Sequence, residues 1–225
     1  GGAYVNNNLS FSSSNSGIPV VGRKTNGSIT DYFDGRIDEI TIWDKALTPV
    51  DIRNQMCVKI AGNPQDLLRY FRLDQLTGTT LDDRSANNKS ASLIGSTTYT
   101  TSGAALGGAS SYVYQTGSWN GYVHTFSTTN QNIFKIKNVK SDPDGLHIYS
   151  VETTPNSYSN LDWICAEQGY VGVFVCRQNL GDYKYDFEYD IGGNNPVNNY
   201  IPNAADIGLK SRKENDSVIW INKFM

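Results

Sequence analysis

The sequence predicts an all-β protein with one short helix, and three observations support this. Apolar and polar residues alternate with a period of two in many short segments, which is the pattern of half-buried strands. Turn-forming pairs such as Asn26-Gly27 and Asp144-Gly145 separate these segments. Only 18% of the residues are charged, while the chain contains 21 glycines and 14 tyrosines. That composition suits short strands joined by polar turns.

The helix is predicted over about residues 48–56, where three helix signals coincide. Thr48 can cap the first turn, Pro49 suits the first helical position, and Asp51 lies where a carboxylate favours the helix dipole. The segment therefore predicts a short helix within a chain of strands.

The second half of the chain carries the clearest strand patterns. Residues 183–190 place four aromatic side chains on one face and four charged side chains on the other, which predicts a strand that covers a core on one side. In residues 132–137, Phe134 and Ile136 face inward and the lysines outward. Residues 170–176 are apolar on both faces, which is typical of the inner strand of a sandwich. Two further strands are predicted over residues 147–152 and 217–224.

Charge and hydropathy exclude two classes of partner. The net charge is −3 and the basic residues are scattered, so no nucleic-acid partner is expected. No apolar run approaches the roughly 20 residues that a membrane-spanning helix needs. Direct insertion into a membrane is therefore not expected.

Residues 97–108 are small, polar and uncharged, which favours a boundary between two domains at this position. The sequence predicts one domain over residues 1–107 and a second over residues 108–225. The opening Gly1-Gly2-Ala3-Tyr4-Val5 has the pattern of the middle of a strand. We therefore expect the chain to derive from a longer protein that begins with a signal peptide.

One motif in the first half carries a family resemblance. In residues 32–48, Phe33-Asp34-Gly35-Arg36-Ile37-Asp38-Glu39 is followed by Ala46-Leu47-Thr48. This resembles the closing signature of laminin G-like, pentraxin-related domains, and the likeness covers roughly residues 1–107. It implies the C-terminal part of a concanavalin A-like jelly roll, with upstream strands of the same jelly roll as its partners. Residues 141–149 and 169–175 resemble a β-sandwich module of large bacterial surface adhesins.

The resemblance implies a non-catalytic binding or adhesion module of an extracellular or cell-surface protein, with a glycan or a surface protein as its ligand. Two alternatives stay open. The chain could be the accessory domain of a secreted hydrolase, or a structural spacer in an adhesin, phage fibre or surface filament. The sequence does not identify the ligand-binding residues.

Catalysis is not expected from the residue pattern. Concanavalin A-like glycosidases commonly deliver their carboxylates as Glu-x-Asp-x-x-Glu, and a retaining enzyme needs two of them about 5 Å apart. Here Thr41 stands where the central Asp would be, two residues after Glu39. No Gly-x-Ser-x-Gly elbow occurs. Glu39 is therefore interpreted as a hydrogen-bonding strand residue, with a β-bulge near Asp38-Glu39 as one way to reconcile the strand's two apolar phases.

Calcium is the cofactor that the resemblance favours, because hard cations take carboxylate and carbonyl oxygens from loops. The candidate ligands are Asp38, Asp74 and Asp82, with Asp83 as an alternate. The alternative is that Asp74 and Asp82 only satisfy turns and that Asp38 pairs with Arg36 or another base.

Aromatic residues in turn-rich sequence are candidates for stacking on sugar rings, and Trp119, Tyr122 and Tyr158 meet this description. Each of them is nevertheless interpreted first as part of the core or its rim, with sugar stacking as the alternative. Asp216-Ser217-Val218 resembles an Asp-Ser/Thr-aliphatic O-glycosylation site at Ser217, with chance occurrence as the alternative.

The three cysteines, Cys57, Cys165 and Cys176, are too few for a disulfide framework, and no spacing suggests zinc. They are interpreted as free buried thiols. A Cys165–Cys176 disulfide is the alternative.

Overall fold

The computed structural model describes residues 20–26, 29–128, 132–153, 169–176, 184–190, 209–211 and 221–223. Within them lie one helix, α1 (Pro49–Gln55), and fourteen strands. The strands are β1 (Arg23–Asn26), β2 (Ile29–Tyr32), β3 (Ile40–Trp43), β4 (Leu67–Phe71), β5 (Thr80–Leu81), β6 (Ala91–Ser92), β7 (Ala109–Tyr114), β8 (Val123–Ser127), β9 (Ile133–Lys137), β10 (Gly145–Val151), β11 (Tyr170–Cys176), β12 (Asp186–Asp190), β13 (Leu209–Ser211) and β14 (Ile221–Lys223). The predicted all-β fold with one short helix is confirmed.

Helix α1 begins as its sequence predicts. The backbone N–H of Asp51 donates to the Thr48 hydroxyl over 3.2 Å, and the Thr48 backbone N–H donates to the Asp51 carboxylate over 2.9 Å. This reciprocal capping box satisfies two backbone donors that would otherwise lack partners. Pro49 occupies the first turn, where its missing N–H costs nothing.

The described strands of the second half form an antiparallel β-sandwich. One sheet has the order β11-β10-β7 and the other β12-β9-β8. The buried core residues between them are Trp119, Phe126, Phe134, Ile136, Val139, Leu146 and Ile148. Both sheets contribute to this core, so their inner faces pack against each other.

Strand β9 has the predicted orientation. Phe134 and Ile136 are buried in the core. On the other face Lys135 and Lys137 both contact Glu188 of β12, over 2.5 and 2.6 Å. Phe187, the neighbour of Glu188, packs against the core from β12. The alternating pattern of both strands therefore separates an apolar face from a charged one, as predicted.

Within the described part of the chain, β10 is the inner strand of the β11-β10-β7 sheet, whereas the sequence predicts an inner strand at residues 170–176. Among the described strands β11 pairs with β10 alone, and its Phe174 is exposed. Gly145 to Ser150 of β10 are all buried. The sequence of β10 contains polar atoms at His147, Tyr149 and Ser150. Its pattern therefore does not predict that the strand is buried on both faces.

The outer face of β10 is buried because α1 and its flanking chain lie over this sheet. Tyr112 of β7 donates its hydroxyl hydrogen bond to Asn54 of α1 over 2.9 Å. The Arg53 guanidinium lies 4.0 Å from the centre of the Tyr114 ring, which is a cation–π contact. The helix of the first half therefore packs on the sandwich of the second half.

The end of the predicted linker is bonded to both halves. The Gly107 backbone N–H donates to the Cys57 carbonyl over 3.0 Å, and its carbonyl accepts from Lys59 over 3.1 Å. The next backbone N–H, that of Gly108, donates to the Ser150 carbonyl over 2.8 Å. Backbone contacts therefore cross the predicted boundary at residue 107, and the boundary itself stays a prediction.

The described part of the first half contains three two-stranded antiparallel sheets, β1-β2, β3-β4 and β5-β6. The register shift in β3 lies between Ile42 and Trp43, not at the predicted position near Asp38-Glu39. Glu39 instead precedes β3 with a left-handed backbone, φ 50°. The likeness to a jelly roll stays a prediction.

Some sequence-based predictions concern residues that the structure does not describe. Tyr158, Cys165, Ser217 and Tyr183 lie outside the described residues. Of the strand predicted over residues 217–224, the structure describes β14 (Ile221–Lys223), which pairs with β13.

Candidate functional site

An exposed apolar surface feature lies beside the β1-β2 hairpin. Tyr32 and Phe33 are 74% and 58% exposed, and Val21 and Ile37 next to them are also exposed. Together with Gly22, Arg23 and Asp31 they line an open groove of about 510 Å³. We call this feature the aromatic groove. Neighbouring exposed apolar side chains can mark a binding surface, whereas apolar side chains that are exposed singly are ordinary.

Two glycines shape the aromatic groove. A Cβ at Gly35 would lie 2.8 Å from the Phe33 ring, so the ring rests directly on the Gly35 backbone. Gly22 has a left-handed φ of 83°, and a Cβ there would meet the Ile37 side chain at 3.4 Å. The backbone N–H of Phe33 donates to the Gly22 carbonyl over 2.9 Å and ties the two segments together. The aromatic-x-Gly spacing of the motif thus has a local packing reason.

Polar groups border the aromatic surface. Arg23 of β1 lies directly opposite Tyr32 of β2, and Lys24 lies opposite Asp31. Arg23 and Asp31 are exposed and line the groove. The lining of the groove therefore includes two aromatic residues, an arginine and an aspartate. Such a surface can stack on an apolar ring face and hydrogen-bond its polar substituents.

Sequence reasoning missed Tyr32 and Phe33. They are consecutive aromatic residues between the turn pairs Asn26-Gly27 and Asp34-Gly35. Because successive strand residues point to opposite faces, a thin two-stranded hairpin cannot bury both. This signal was available in the sequence.

Trp119 belongs to the core, which agrees with the interpretation that places it in the core and not in a sugar-stacking site. Trp119 is fully buried, and its indole N–H donates to the Pro143 carbonyl over 2.7 Å. Tyr122 is half-buried and packs edge-on against it, with ring centres 5.5 Å apart. Both rings therefore stabilise the sandwich.

The three predicted calcium ligands do not meet at one point. Asp38 accepts hydrogen bonds from the backbone N–H of Glu39 and from the Ser102 hydroxyl. Asp74 and Asp82 line a small cavity of about 80 Å³, which Asp38 does not line. Throughout the described ranges, no group of three or more His, Cys, Asp or Glu residues could hold a metal ion.

Basic residues share the small cavity with the two carboxylates. Asp74 pairs with Arg72 over 2.7 Å and with Lys59 over 3.6 Å. Asp82 pairs with Arg84 over 3.8 Å. These ion pairs offset the repulsion between the carboxylates without a cation.

Asp83, the alternate ligand, is a buried turn-forming residue. Its carboxylate accepts hydrogen bonds from the backbone N–H groups of Tyr70, Ser85 and Lys89, over 3.0, 2.9 and 2.9 Å. Burial alone would raise the pKa of this carboxyl, but the hydrogen bonds outweigh it and hold the pKa at about 2. The carboxylate is therefore ionised and holds the 83–89 turn against β4.

Glu39 has a hydrogen-bonding role, although it precedes the strand. Its carboxylate accepts a hydrogen bond from the Tyr70 hydroxyl. The other carboxylate oxygen is buried and has no hydrogen-bond partner within the described residues. Burial raises the pKa of this carboxyl, the Tyr70 bond opposes the rise, and the nearby charge of Asp38 adds to it.

Two of the cysteines are free thiols, as the sequence suggests. Cys57 is buried and Cys176 is half-buried. Burial, with a smaller effect of a charge on Cys176, raises the pKa of the Cys57 thiol to about 12. Burial also raises the pKa of Cys176. Neither thiol is therefore an activated nucleophile.

The structure places no long apolar helix in the described parts of the chain, so none there could cross a membrane. Comparisons of this chain with protein-family models, curated proteins and solved structures found no match.

Proposed function

We propose that this chain is a non-catalytic binding module of an extracellular or cell-surface protein, and that it binds a glycan in the aromatic groove. The observation that carries the proposal is the pair of exposed aromatic rings, Tyr32 and Phe33, beside Arg23 and Asp31. The family resemblance of residues 1–107 supports the same class of function.

A glycan fits this chemistry better than an apolar small molecule. The C–H face of a pyranose ring packs on an aromatic ring, and its hydroxyls need donors and acceptors at the edge. Arg23 supplies donors and Asp31 supplies acceptors. The groove is open, so it can accept a chain of sugars that enters and leaves along the surface.

The proposal excludes hydrolysis by Glu39. The carboxylate of Glu39 is engaged by Tyr70, and Thr41 stands where a second catalytic carboxylate is expected. Polysaccharide incubated with the chain should therefore show no turnover.

The experiment is a glycan array followed by calorimetric titration of the best ligand. Tyr32→Ala and Phe33→Ala should each lower the affinity about tenfold or more, because each removes a stacking surface. Leu76→Ala is the matched control, since Leu76 is 87% exposed and does not line the groove. The affinity of Leu76→Ala for the glycan should equal that of the unchanged chain.

Two results would contradict the proposal. If no glycan binds, or if Leu76→Ala weakens binding as much as Tyr32→Ala, the groove is not a glycan site. Capture of a surface protein that depends on Tyr32, without glycan binding, would assign the groove to a protein ligand instead.

Calcium is tested apart from the groove, because Asp38, Asp74 and Asp82 do not line it. A melting temperature that rises in millimolar calcium, and no longer does so in Asp74→Ala, would support a calcium site. Equal melts in calcium and in chelator would assign Asp74 and Asp82 to their ion pairs with Arg72 and Arg84.

A further inference from the structure

We infer that His147 is an acid-sensitive latch, whose protonation releases α1 from the β11-β10-β7 sheet. This inference is independent of the glycan proposal. It rests on the place of the imidazole, which is fully buried on the face of the sheet that α1 covers and has one nitrogen without a partner among the described residues.

Aromatic rings enclose the His147 side chain. In the register of the sheet, His147 lies between Tyr112 of β7 and Phe174 of β11. The centre of its ring is 5.1 Å from that of Tyr112, 5.6 Å from that of Tyr114 and 6.3 Å from that of Phe174. His147 is 0% exposed, so water does not reach the imidazole while α1 covers the sheet.

The two tyrosines that contact His147 also hold α1. The Tyr112 hydroxyl donates to Asn54 of α1 over 2.9 Å. The Arg53 guanidinium of α1 lies 4.0 Å from the centre of the Tyr114 ring. A change in the charge of His147 therefore acts directly on the contacts that dock the helix.

The docked arrangement suits a neutral imidazole and not a protonated one. His147 Nε2 lies 2.9 Å from the Tyr114 hydroxyl oxygen, while the buried Nδ1 has no hydrogen-bond partner within the described residues. A neutral imidazole has a hydrogen on one nitrogen, whereas an imidazolium has a hydrogen on both. When His147 takes a second proton from solvent, one buried N–H lacks an acceptor, which is unfavourable.

The charges around His147 also disfavour its protonation. Charged and titratable groups on the elements near it are Asp51, Arg53, Cys57, Tyr112, Tyr114, His124, Asp144 and Cys176. Positive charge on Arg53 or His124 opposes a positive charge on His147. Neither carboxylate of this set, Asp51 or Asp144, acts on the His147 titration. A buried imidazolium would therefore lie beside like charge without a counter-ion among these groups.

The direction of the pH dependence follows from these contacts. Burial, with smaller effects of His124 and Arg53, lowers the pKa of His147 from 6.5 to about 4. An imidazole that α1 no longer covers returns to the ordinary value. Between pH 6.5 and pH 4 the released form therefore binds a proton that the docked form does not. Docking is strongest above pH 6.5 and weakens as the pH falls towards 4.

The test is hydrogen exchange of the whole chain at pH 7 and pH 5, expressed as protection factors so that the direct effect of pH on exchange is removed. The Ile52 and Met56 amides report on α1, because their hydrogen bonds lie within it. A helix of seven residues does not persist without its packing. We expect protection of both amides to fall about twentyfold from pH 7 to pH 5, while Ile136 in the core changes much less.

Variants assign the effect to His147. His147→Phe keeps a ring and His147→Gln keeps a polar side chain, and neither titrates in this range. In both, protection of α1 should be the same at pH 7 and pH 5. His124→Gln is the matched control, because His124 is the other of the two histidines and contacts Ser111. It should keep the pH response of the unchanged chain.

The inference is overturned if α1 of the unchanged chain is equally protected at both pH values. It is equally overturned if both His147 variants keep the fall in protection, or if His124→Gln abolishes it. An equal fall at Ile136 would mean that acid unfolds the whole sandwich and does not release α1. Circular dichroism at pH 7 establishes that each variant is folded, and either His147 variant suffices if the other is not.

Discussion

Glu39 accepts a hydrogen bond from Tyr70, and this contact joins the start of β3 to the middle of β4. Tyr70 is almost fully buried, and its hydroxyl also accepts a hydrogen bond from the Ile60 backbone N–H over 3.2 Å. Glu39 makes this contact from a left-handed backbone conformation, with φ 50°. The motif residue therefore stabilises the β3-β4 pair, at the cost of partly burying a carboxylate.

The Glu39 carboxyl should make stability depend on pH. Its folded-state pKa is raised above 4.5, chiefly by burial. A raised pKa means that its contribution to stability is greatest below the unfolded pKa and is lost as the pH rises through the folded value. Urea unfolding at pH 4 and pH 7 should show that Glu39→Gln gains stability relative to the unchanged chain on going to pH 7. A Glu39→Gln effect that is the same at both pH values would refute this.

The Asp83 carboxyl should make stability depend on pH in the direction opposite to that of Glu39. Its folded-state pKa of about 2 lies below the ordinary aspartate value of 3.8, because the hydrogen bonds to the ionised form outweigh burial. Its contribution is therefore present above the unfolded pKa and is lost as the pH falls from about 4 towards 2. Asp83→Asn should lower the free energy of unfolding by about 1–3 kcal/mol at pH 7, because buried N–H groups lose a charged acceptor.

Asp82→Asn is the matched control for Asp83→Asn. Its side chain is 56% exposed and pairs with Arg84, so its effect should stay within about 0.5 kcal/mol. Equal losses for the two variants, measured by urea unfolding, would show that Asp83 does not hold the turn.

Local signals in the sequence predict the helix and the strand faces well. Thr48 and Asp51 specify the start of α1 through a capping box that needs no tertiary contact. Phe134 and Ile136 alternate with lysines, and one face must be buried. Such predictions depend only on residues that are close in the sequence, so they do not require knowledge of the tertiary structure.

Features set by long-range packing could not be predicted in the same way. His147 is polar, so the pattern of β10 gives no sign that α1 covers its outer face. Trp119 lies in turn-rich sequence, and its N–H donates to the Pro143 carbonyl, 24 residues away, a contact that the local pattern does not specify. For the aromatic groove, the sequence signals that Tyr32 and Phe33 cannot both be buried, but the shape of the groove depends on what β1 and β2 leave uncovered.

The position of the Phe33 ring should depend on Gly35. A Cβ at residue 35 would lie 2.8 Å from the ring, so Gly35→Ala must displace it. We expect Gly35→Ala to weaken glycan binding while leaving the melting temperature nearly unchanged, because Phe33 is exposed. NMR shifts of the Phe33 ring report the displacement directly. An unchanged ring position and affinity in Gly35→Ala would show that the glycine does not shape the groove.

Replacing Gly107 with alanine should destabilise the fold, whereas replacing its neighbour Gly108 should not. A Cβ at residue 107 would lie 2.1 Å from the Ser150 carbonyl oxygen, whereas a Cβ at residue 108 meets nothing within 4 Å. Gly107→Ala must therefore separate the 107–108 segment from β10 and loosen the bonds to Cys57 and Lys59. We expect Gly107→Ala to cost about 1–3 kcal/mol of unfolding free energy.

Gly108→Ala should stay within about 0.5 kcal/mol of the unchanged chain, or increase its stability slightly by restricting the unfolded chain. Urea unfolding measures both variants, and hydrogen exchange at the Gly107 and Lys59 amides locates the loss. Because the contact joins the two halves of the chain, Gly107→Ala should speed exchange at these amides more than at Ile136 in the core. Equal stabilities of the two alanine variants would mean that the close approach of Gly107 to β10 does not hold in solution.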